Sequence, residues 1–499
     1  MNQSHFIKIL NPIQIKALDA YTIENESISS IDLMENAANS FCKYLIETHL
    51  LNEISTKIIC GSGNNGGDGL AIARILMQKG FQVEVFVNVS KSGQSDDFRI
   101  NLNRLAKIVE VKFIENESDI PLFYNDELII DAIFGMGLNR PVDGIAKIVI
   151  QKMNESLATI IAVDIASGLY SDTSNLLGDM IVKPKYTISF ELPKLAFFQP
   201  QNIDFVGDWH IVPIGLNQNF IDLAKTNYFY TDQVGQLMKE RPKFSNKGTF
   251  GHGLLIAGSY GMIGAALLAA KACLRSGVGK LTVNTPQCGY EIMQITNPEA
   301  MALLDDNETF ITQIIDYKVF NAIGIGPGLG KNRETVSFLE KFLRSINRPI
   351  VIDADALNII AENNYHSLIP QNSILTPHPK EFERLINKTW QNDFEKLDFL
   401  IEFAQTYHII VCLKGANTAI AFPNGEIHFN STGNAGMAKG GTGDALTGIL
   451  TALLAQGYTP EEAAVLGVFE HGLAGDKAAA KKGKMAMLVS DLIEEIKFE

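Results

Sequence analysis

Apolar runs, glycine-rich turns and amphipathic segments follow one another in a regular order in the first half of the chain. Residues 57–60 have the composition of a buried strand end, 61–69 form a glycine-rich turn, and 70–77 begin a helix with apolar positions at helical spacing. Residues 81–89 then place an apolar side chain at every second position, as a strand does. This order is the repeating unit of a parallel sheet covered by helices, so the pattern predicts an α/β fold.

Two helices are predicted before this unit. Pro12 suits the first turn of a helix, and Ile13, Ile15, Ala17 and Leu18 supply its apolar surface. Ser29 and Asp32 have the spacing of a helix cap. The helix that follows is predicted to bury Leu33, Met34, Ala37, Ala38, Phe41 and Leu45.

The second half of the chain repeats the strand–turn–helix pattern. The first repeat has a strand at 254–257, a glycine turn at 258–264 and a small-residue helix stripe, and it is followed by a strand at the start of 320–330. Further strands are predicted within 349–360, 373–386 and 408–422. The pattern again predicts an α/β fold with most turns at one sheet edge. We place the boundary near residue 225, which predicts domains 1–225 and 226–499.

Length and composition narrow the classes of function. The chain has 499 residues, more than one ordinary core accommodates, and a net charge of −14 without a basic cluster. Nucleic acid and anionic membranes are therefore disfavoured as partners. The amino-terminal residues lack the apolar core of a signal peptide, and no apolar run approaches the ~20 residues of a membrane span. The five cysteines are scattered without a CxxC pair, which disfavours zinc, and we expect reduced thiols in the cytoplasm.

The glycine-rich turn after the first strand matches GxGxxG at Gly61, Gly63 and Gly66. This match is weak, because the following strand end lacks the acidic residue that holds a dinucleotide ribose. A P-loop is excluded for this turn, because the turn contains no Lys-Ser or Lys-Thr pair. Asn64, Asn65 and Asp68 make the turn polar, so it can offer backbone N–H groups to a phosphate and oxygens to a cation.

Acidic and hydroxyl residues follow two later strands of the first half. Asp131 ends one strand, and Asp164 ends another, shortly before Ser167 and Gly168. Acids at the carboxyl ends of parallel strands line the ligand crevice of such folds. Each residue alone could instead form a turn or cap a helix. Three polar strand ends in one domain favour a ligand site.

The segment 436–457 carries the most specific chemistry of the second half. Gly440, Gly441 and Gly443 lead into Asp444, and an apolar helix follows. A glycine loop that opens a helix presents free N–H groups and the positive end of the helix dipole, which attract phosphate. A carboxylate there is explained if it takes a proton from a hydroxyl that attacks the phosphate. The alternative is that Asp444 only caps the helix.

Two further polar strand ends have two interpretations each. His378 lies between prolines and is either a structural turn residue or, with Glu381 three positions later, part of a phosphate–magnesium site. Lys414 is either a surface lysine or a nucleotide contact, because the small residues after it allow close approach of a flat ligand.

The first half resembles the YjeF N-terminal-type family of NAD(P)HX epimerases. Four motifs carry the resemblance in order, and it covers nearly all of residues 1–216: IDLMENAA (31–38), CGSGNNGGDG (60–69), DAIFGMGL (131–138) and AVDIASGL (162–169). It implies a Rossmann-like three-layer fold that interconverts the R and S epimers of hydrated NADH and NADPH. It also implies that Asp164 is the acid/base group and that K⁺ is bound by Asn65, Asp131 and Ser167. The substrate contacts that it implies are Asn64, Asn65, Gly66, Gly67, Asp68, Gly135, Met136, Gly137, Leu138, Asn139, Arg140, Pro141 and Asp164.

The second half resembles the ribokinase-like superfamily and, more closely, the YjeF C-terminal-type family of ADP- or ATP-dependent NAD(P)HX dehydratases. The motifs are GSYGMIGAALLAA (258–270), GIGPGLG (324–330), IDADALN (352–358), TPHPKEF (376–382), KGANT (414–418) and GMAKGGTGD (436–444). The resemblance implies that the hydrated substrate contacts Ala265, Gly328, His378 and Asp444. It implies that the nucleotide contacts Lys414, Gly415, Ala416, Asn417, Thr418 and Gly443. Lys380 and Asn417 stand where many relatives have glycine.

Both resemblances imply one bifunctional nicotinamide-nucleotide repair enzyme. The first domain would epimerise hydrated NAD(P)H, and the second would dehydrate the S form at the expense of ADP, giving NAD(P)H, AMP and phosphate. Asp444 would be the base, K⁺ would serve the first site, and Mg²⁺ would accompany ADP at the second. We expect only small-molecule partners (NADHX, NADPHX, ADP and AMP) and a homo-oligomer. The alternatives are a ribokinase-like small-molecule kinase with an accessory dinucleotide-binding domain, and a non-catalytic nucleotide sensor.

Overall fold

The computed structural model describes residues 6–51, 55–88 and 93–498. The described chain divides into two compact units. One comprises residues 8–226 together with 392–394, and the other comprises residues 6–7, 227–391 and 395–498. The assignment of one activity to 1–225 and another to 226–499 stays a prediction.

The chain begins with strand β1 (Ile7–Lys8), which joins the sheet of the second unit. The first unit is built from seven further strands and seven α-helices. The strands are β2 (Thr56–Cys60), β3 (Val83–Asn88), β4 (Lys112–Ile114), β5 (Leu128–Ala132), β6 (Thr159–Val163), β7 (Tyr186–Phe190) and β8 (Asp208–Val212). The helices are α1 (Pro12–Asn25), α2 (Ser30–Glu47), α3 (Asn64–Gln78), α4 (Asp96–Leu105), α5 (Gly144–Glu155), α6 (Ile203–Val206) and α7 (Gln218–Leu223).

The seven strands form one parallel sheet with the order β4-β3-β2-β5-β6-β7-β8. The strand order therefore reverses between β2 and β5, which is the arrangement of Rossmann-like folds. The predicted Rossmann-like α/β fold is confirmed. Ligands of such sheets bind outside the carboxyl ends of the strands where the order reverses, so the loops after β2 and β5 are the place to look for a site.

The two amino-terminal helices follow the prediction in part. Ser29 caps α2, since its side chain accepts a hydrogen bond from the Asp32 amide, and all six residues predicted for the buried face are buried. In α1 the prediction was wrong for Ile13, which is 81% exposed, and for Ala17, which is also exposed. Only the stripe Ile15, Leu18 and Thr22 of α1 is buried, because one helix face cannot include positions 13 and 17 as well.

The first residues of α3 correct another prediction. The helix begins at Asn64 rather than Leu70, so the polar residues of the expected turn lie on helical backbone. A Cβ atom on Gly66 would lie 1.9 Å from the Gly61 carbonyl oxygen, so the glycines let the first helical turn pack directly on the preceding turn. Strand β3 is shorter than the predicted 81–89, and Val89 lies outside the described residues.

The second unit has a larger sheet. Its strands after β1 are β9 (Tyr228–Thr231), β10 (His252–Ile256), β11 (Lys280–Thr285), β12 (Met301–Leu304), β13 (Ala322–Ile325), β14 (Val351–Ile352), β15 (Ile374–Leu375), β16 (Ile410–Leu413), β17 (Ala419–Ala421) and β18 (Ile427–Asn430). Its helices are α8 (Ile263–Arg275), α9 (Tyr290–Thr296), α10 (Arg333–Ser345), α11 (Ala354–Asn363), α12 (Pro379–Ile386), α13 (Asp393–Tyr407), α14 (Thr442–Ala455), α15 (Pro460–Lys482) and α16 (Val489–Glu494).

The order of this sheet is β1-β9-β18-β17-β16-β15-β14-β13-β10-β11-β12. From β16 to β12 all neighbours are parallel, and the order reverses between β10 and β13. Strand β17 is antiparallel to both of its neighbours. The α/β prediction is therefore confirmed for this unit as well, and the carboxyl ends of the parallel strands form one edge.

Helix α14 lies in the interior of the second unit. It packs against α8 and α15, and its residues are buried on every side of the helix. Close helix packing explains this, because a Cβ atom on Gly448 would lie 2.1 Å from the Ala269 carbonyl oxygen of α8. No helix of the described residues is long and apolar enough to cross a membrane.

Candidate active sites

The loops at the strand reversal of the first unit bring predicted site residues together. Asn65, in the first turn of α3, lies beside the loop after β5, since a Cβ atom on Gly135 would be 3.3 Å from the Cβ atom of Asn65. Asn65 is buried, and its side-chain Nδ2 has no hydrogen-bond partner among the described residues. A buried amide without a partner indicates a group that a ligand or ion completes.

Asp131 and Ser167 are in direct contact. The Ser167 hydroxyl donates to Asp131 Oδ1 over 2.6 Å, and the Ser167 amide donates to Oδ2 over 2.8 Å. Burial raises the pKa of Asp131 to about 6, although the hydrogen bonds from Ser167 and Ile133 oppose the rise. The Phe134 carbonyl oxygen lies 3.2 Å from the Ser167 hydroxyl oxygen. A buried carboxylate, a hydroxyl and a carbonyl therefore converge, which is a set of oxygen donors that fits a cation.

Asp164 occupies a strained turn directly after β6. Its φ of +65° lies in the left-handed region, which is uncommon for residues other than glycine and which clusters at functional sites. Its Oδ1 atom accepts hydrogen bonds from the Phe190 amide over 2.9 Å and from Lys194 Nζ over 2.5 Å. Asp164 therefore caps no helix, since no described helix begins directly after it, and its acid/base role stays a prediction.

Lys194 and Asp19 are functional neighbours that the sequence reasoning missed. Lys194 is a buried lysine within the apolar segment 192–198, and that contrast was a usable signal. Asp19 lies on α1, and burial, together with the nearby charge of Asp164, raises its pKa to about 6. Burial, and then the charges of Asp164, Asp19 and Asp97, raise the pKa of Asp68 well above its ordinary value. These shifts favour the neutral form of the two carboxyl groups.

The remaining predicted contacts of the first site lie at its surface. Asn64 is exposed, whereas Gly66 and Gly67 are buried under the first turn of α3. The other residues of the loop after β5 are half-buried or exposed and reach no catalytic side chain by a described hydrogen bond: Met136, Gly137, Leu138, Asn139, Arg140 and Pro141. Their substrate contacts stay predictions.

In the second unit, Asp444 lies in the first turn of α14. Gly441, with a φ of +95°, occupies the N-cap position, so the interpretation of Asp444 as the cap was wrong. Burial raises the pKa of Asp444 to about 6. The negative charge of Asp353 also raises the pKa, and this effect is larger than the opposing effect of Lys414. A carboxyl group of this kind is suited to proton transfer near neutral pH.

Lys414 lies at the centre of a group of carboxylates. Its Nζ atom is 3.0 Å from Asp353 Oδ1 and 3.8 Å from Glu381 Oε2. Thr447, on α14, donates to Asp353 Oδ2 over 2.9 Å. Burial disfavours the charge of Asp353, but Lys414 and the hydroxyls of Thr376 and Thr447 together hold its pKa below the ordinary value. Lys414 is therefore an internal ion-pair partner, and the surface-lysine interpretation is wrong.

The remaining nucleotide contacts predicted for this site lie on the same sheet edge. A Cβ atom on Gly443 would lie 3.1 Å from Lys414 Nζ, so the glycine loop approaches the lysine closely. Thr418 donates to the Gly415 carbonyl oxygen over 3.2 Å and closes the turn after β16. Gly415 and Ala416 are exposed at this turn, and Asn417 is half-buried. Their nucleotide contacts stay predictions.

The predicted substrate residues Ala265 and Gly328 are neighbours across the strand reversal of the second sheet. A Cβ atom on Gly328, whose φ is +60°, would lie 3.1 Å from the Cβ atom of Ala265. His378 is the N-cap of α12, where its Nδ1 accepts from the amides of Lys380 and Glu381, and Glu381 closes the capping box. The structural role of His378 is thus present, and half of its side chain remains exposed for a ligand.

Two family models match the two units separately. One, described as YjeF-related protein N-terminus, matches residues 30–196, and one, described as NAD(P)H-hydrate dehydratase, matches residues 253–497. A bifunctional NAD(P)H-hydrate repair enzyme of Moorella thermoacetica is 34% identical, with 97% of this chain and 95% of that protein covered. The chain belongs to the bifunctional NAD(P)H-hydrate repair enzymes.

The chain is also similar to a second relative over most of its length and to a solved structure over about half of it. The Escherichia coli bifunctional NAD(P)H-hydrate repair enzyme is 32% identical, with 88% of this chain and 84% of that protein covered. A solved Bacillus subtilis ADP/ATP-dependent NAD(P)H-hydrate dehydratase, co-crystallised with ATP/Mg²⁺, is 31% identical, covers 53% of this chain and 96% of its own, and has a TM-score of 0.47. The two-part repair function predicted from the sequence is confirmed at the level of the family, and the kinase alternative is not favoured.

Proposed function

We propose that this repair enzyme epimerises hydrated NADH and NADPH at the Asp164 site and dehydrates the S epimer at the Asp444 site with ADP. The observation that carries the proposal is that each compact unit holds a partly buried carboxylate at the carboxyl ends of its parallel strands. The two carboxylates have separate surroundings, Lys194 for Asp164 and the Lys414 group for Asp444. Two independent proton-transfer groups fit two successive reactions on one metabolite.

At the dehydratase site, Asp444 takes the proton of the 6-hydroxyl group while the hydroxyl oxygen attacks the β-phosphorus of ADP. AMP leaves, and the Gly440–Gly443 loop donates its N–H groups to the phosphoryl oxygens. Loss of phosphate from C6 and of a proton from C5 then restores the double bond. Lys414 supports this step by its ion pair with Asp353. Lys414, Gly415, Ala416, Asn417 and Thr418 line the nucleotide side. Ala265, Gly328 and His378 contact the substrate.

At the epimerase site, Asp164 moves a proton at the carbinolamine of the substrate. Burial and the neighbouring carboxylates raise the pKa of Asp68 well above its ordinary value, which favours the neutral carboxyl group, and that form donates a hydrogen bond to the substrate hydroxyl. Asn64 to Asp68 and Gly135 to Pro141 hold the nicotinamide and its phosphates from the two loops at the strand reversal.

The oxygen donors described above fit the two metal ions. Asp131 and Ser167 would hold K⁺ through their oxygen atoms, and the ion would neutralise the buried Asp131 carboxylate. Asn65, in the first turn of α3, would contribute its side-chain oxygen, whereas its unpartnered Nδ2 is a donor that suits an acceptor atom of the substrate. Glu381, a buried carboxylate 3.8 Å from Lys414, would face the Mg²⁺ that accompanies ADP through that ion's water ligands. Mg²⁺ supplies charge neutralisation at the phosphates.

We place the reaction in the cytoplasm, because all five cysteines are free and four of them are buried. We also propose that the enzyme is a homo-oligomer, which light scattering of the purified chain would test.

The decisive experiment uses resolved epimers of hydrated NADH with ADP or ATP. We expect the S form to regain absorbance at 340 nm with one AMP per molecule when ADP is supplied. We expect the R form to be consumed faster than its spontaneous epimerisation allows. A protein that restores no absorbance with either nucleotide would refute the dehydratase assignment. An R form that reacts only at the spontaneous rate would refute the epimerase assignment.

A further inference from the structure

The ammonium group of Lys194 is buried, and its four hydrogen-bond acceptors lie within the described residues. Lys194 follows β7 by four residues, and it is only 2% exposed. Its Nζ atom donates to Asp164 Oδ1 over 2.5 Å, to Ser189 Oγ over 2.7 Å, to the Leu192 carbonyl over 3.1 Å and to the Phe190 carbonyl over 3.3 Å. An ammonium group has three protons, so this set of acceptors uses all of them. A lysine buried to this degree cannot reach a substrate.

The same contacts divide the two oxygens of Asp164. Its Oδ1 atom accepts from Lys194, from the Phe190 amide over 2.9 Å and from the Ser189 hydroxyl over 3.2 Å. Its Oδ2 atom takes part in none of the hydrogen bonds found within residues 6–51, 55–88 and 93–498. The Asp164 side chain is 11% exposed, so a small part of it remains accessible. Oδ2 is therefore the oxygen left for a ligand.

The backbone fixes this arrangement as well. Asp164 has a φ of +65°, and its amide donates to the Ile188 carbonyl of the neighbouring strand β7 over 2.8 Å. A residue in this conformation persists only where its surroundings hold it. Lys194 and Ser189 supply that restraint from the side chain, since both bind Oδ1.

We propose that Lys194 is a positioning residue for epimerisation: it clamps Oδ1 of Asp164 in one orientation and leaves Oδ2 as the oxygen that exchanges protons with the substrate. The proposal rests on the proposed epimerase role of Asp164. It goes beyond that role because it assigns the chemistry to one oxygen and explains why Asp164, among its acidic neighbours, is the base.

The surrounding charges make a counter-ion necessary. Asp19 on α1 and Asp68 on α3 both feel the charge of Asp164, and Asp97 on α4 acts on Asp68. Lys194 acts on Asp19 in the opposite sense, lowering its pKa. Without Lys194, a buried Asp164 would face two carboxyl groups without its bonded cation. The negative charges would then repel one another more strongly, which favours the neutral form of the neighbouring carboxyl groups.

The test replaces Lys194 in the full chain and follows the two activities separately. For Lys194→Met we expect kcat for conversion of the R form to fall about 10²-fold or more, because a misplaced base loses its alignment. We expect KM to change less than about threefold, since Lys194 does not touch the substrate. The acid limb of the pH–rate profile should move up by about one pH unit or more. Dehydration of the S form should be unchanged.

Two further variants separate positioning from structural support. Lys194→Gln can still donate hydrogen bonds but has no charge, so its pH profile should shift in the same direction. Ser189→Ala is the matched control: it removes one bond to Nζ and one to Oδ1 but keeps the charge pair. We expect its acid limb to stay in place, with a rate loss below about fivefold.

The double variant Lys194→Met/Asp164→Asn decides whether Lys194 acts through Asp164. We expect the double variant to be no slower than Asp164→Asn alone, because Lys194 then has no catalytic carboxylate to position. If the rate losses of the two substitutions are additive in the double variant, the proposal is overturned. It is also overturned if Lys194→Gln keeps the wild-type pH profile. The same holds if Lys194→Met lowers the melting temperature without shifting the pH profile. If Asp164→Asn itself retains full epimerisation, the proposed role of Asp164 fails, independently of Lys194.

Discussion

Asp353 and Asp444 show how two carboxyl groups at one sheet edge acquire different properties. Asp353 is fully buried but bonded to Lys414, Thr376 and Thr447, which holds its pKa below the ordinary value. Asp444 is buried beside that negative charge, and its pKa rises to about 6. When the pKa values of two carboxyl groups differ in this way, the group with the lower pKa stays ionised and the group with the higher pKa can accept a proton. The structure therefore explains why Asp444, and not Asp353, is the base of the proposed reaction.

The pH dependence of dehydration tests this division. Asp444 must be ionised to accept the hydroxyl proton, so kcat/KM for the S form should be constant at neutral pH and fall tenfold per unit below about pH 6. Asp444→Asn should lower the rate at pH 7.5 by about 10²–10⁴-fold. The measurement is recovery of absorbance at 340 nm on the resolved S epimer from pH 5 to 8.

Thr447→Val is the matched control for that experiment. It removes one hydrogen bond to Asp353 and leaves the charges of Asp353, Lys414 and Asp444 in place. We expect a rate loss below about tenfold and an unchanged acid limb. An acid limb near pH 4 in the unmodified enzyme would show that Asp444 has an ordinary pKa and is not the titrating base.

Single residues differ in how far the sequence could predict them. Asp164 and Asp444 were predictable, because each follows a strand or a glycine loop whose geometry can be read locally. For Lys194 the apolar neighbours were the one usable signal, and Asp19 offered none. The importance of both depends on their proximity to Asp164, which lies 30 residues from Lys194 along the chain and on a different element from Asp19. The sequence did not reveal that Gly441 is the N-cap residue, because both a glycine and an acidic residue lie near the start of the helix and either type can occupy that position.

At the scale of elements, the start of α3 decides the geometry of the epimerase site. The helix begins at Asn64, so Asn65 and Asp68 are held on helical backbone at the strand reversal. The sequence predicted the strand and the helix but placed the helix start six residues too late, because glycines normally indicate a turn. Their function here is close packing of the first helical turn on Gly61.

A pair of glycine variants tests this packing. Gly66→Ala would place its Cβ 1.9 Å from the Gly61 carbonyl oxygen, so α3 must move, and we expect a cost of about 1–3 kcal/mol. Gly63→Ala is the matched control, because its Cβ has nothing within 4 Å. In thermal unfolding we expect the first unit to melt about 2–4 °C lower per kcal/mol in Gly66→Ala only. Equal melting temperatures of the first unit in Gly66→Ala and Gly63→Ala would contradict the packing argument.

At the scale of the whole molecule, the two units share one arrangement and differ in chemistry. Each has a set of parallel strands whose order reverses, between β2 and β5 in one sheet and between β10 and β13 in the other, and each places its candidate site at the carboxyl ends of those strands. The repeated strand–turn–helix pattern made this predictable from the sequence. The inclusion of residues 6–7 in the second unit was not predictable, because a strand as short as β1 carries no periodic signal and is defined by its pairing with β9.

Complementation between two inactive variants tests whether the two activities are independent. Asp164→Ala should repair the S form normally and consume the R form only at its spontaneous rate, whereas Asp444→Asn should epimerise without restoring absorbance. Asp164 and Asp444 lie in different compact units, and the S epimer is a diffusible product of one and substrate of the other. An equimolar mixture should therefore restore repair of the R form to the rate expected for half the active sites of each kind. If the mixture stays at the spontaneous rate although each variant keeps its own activity, the S epimer does not pass between molecules, and the two sites must act within one chain.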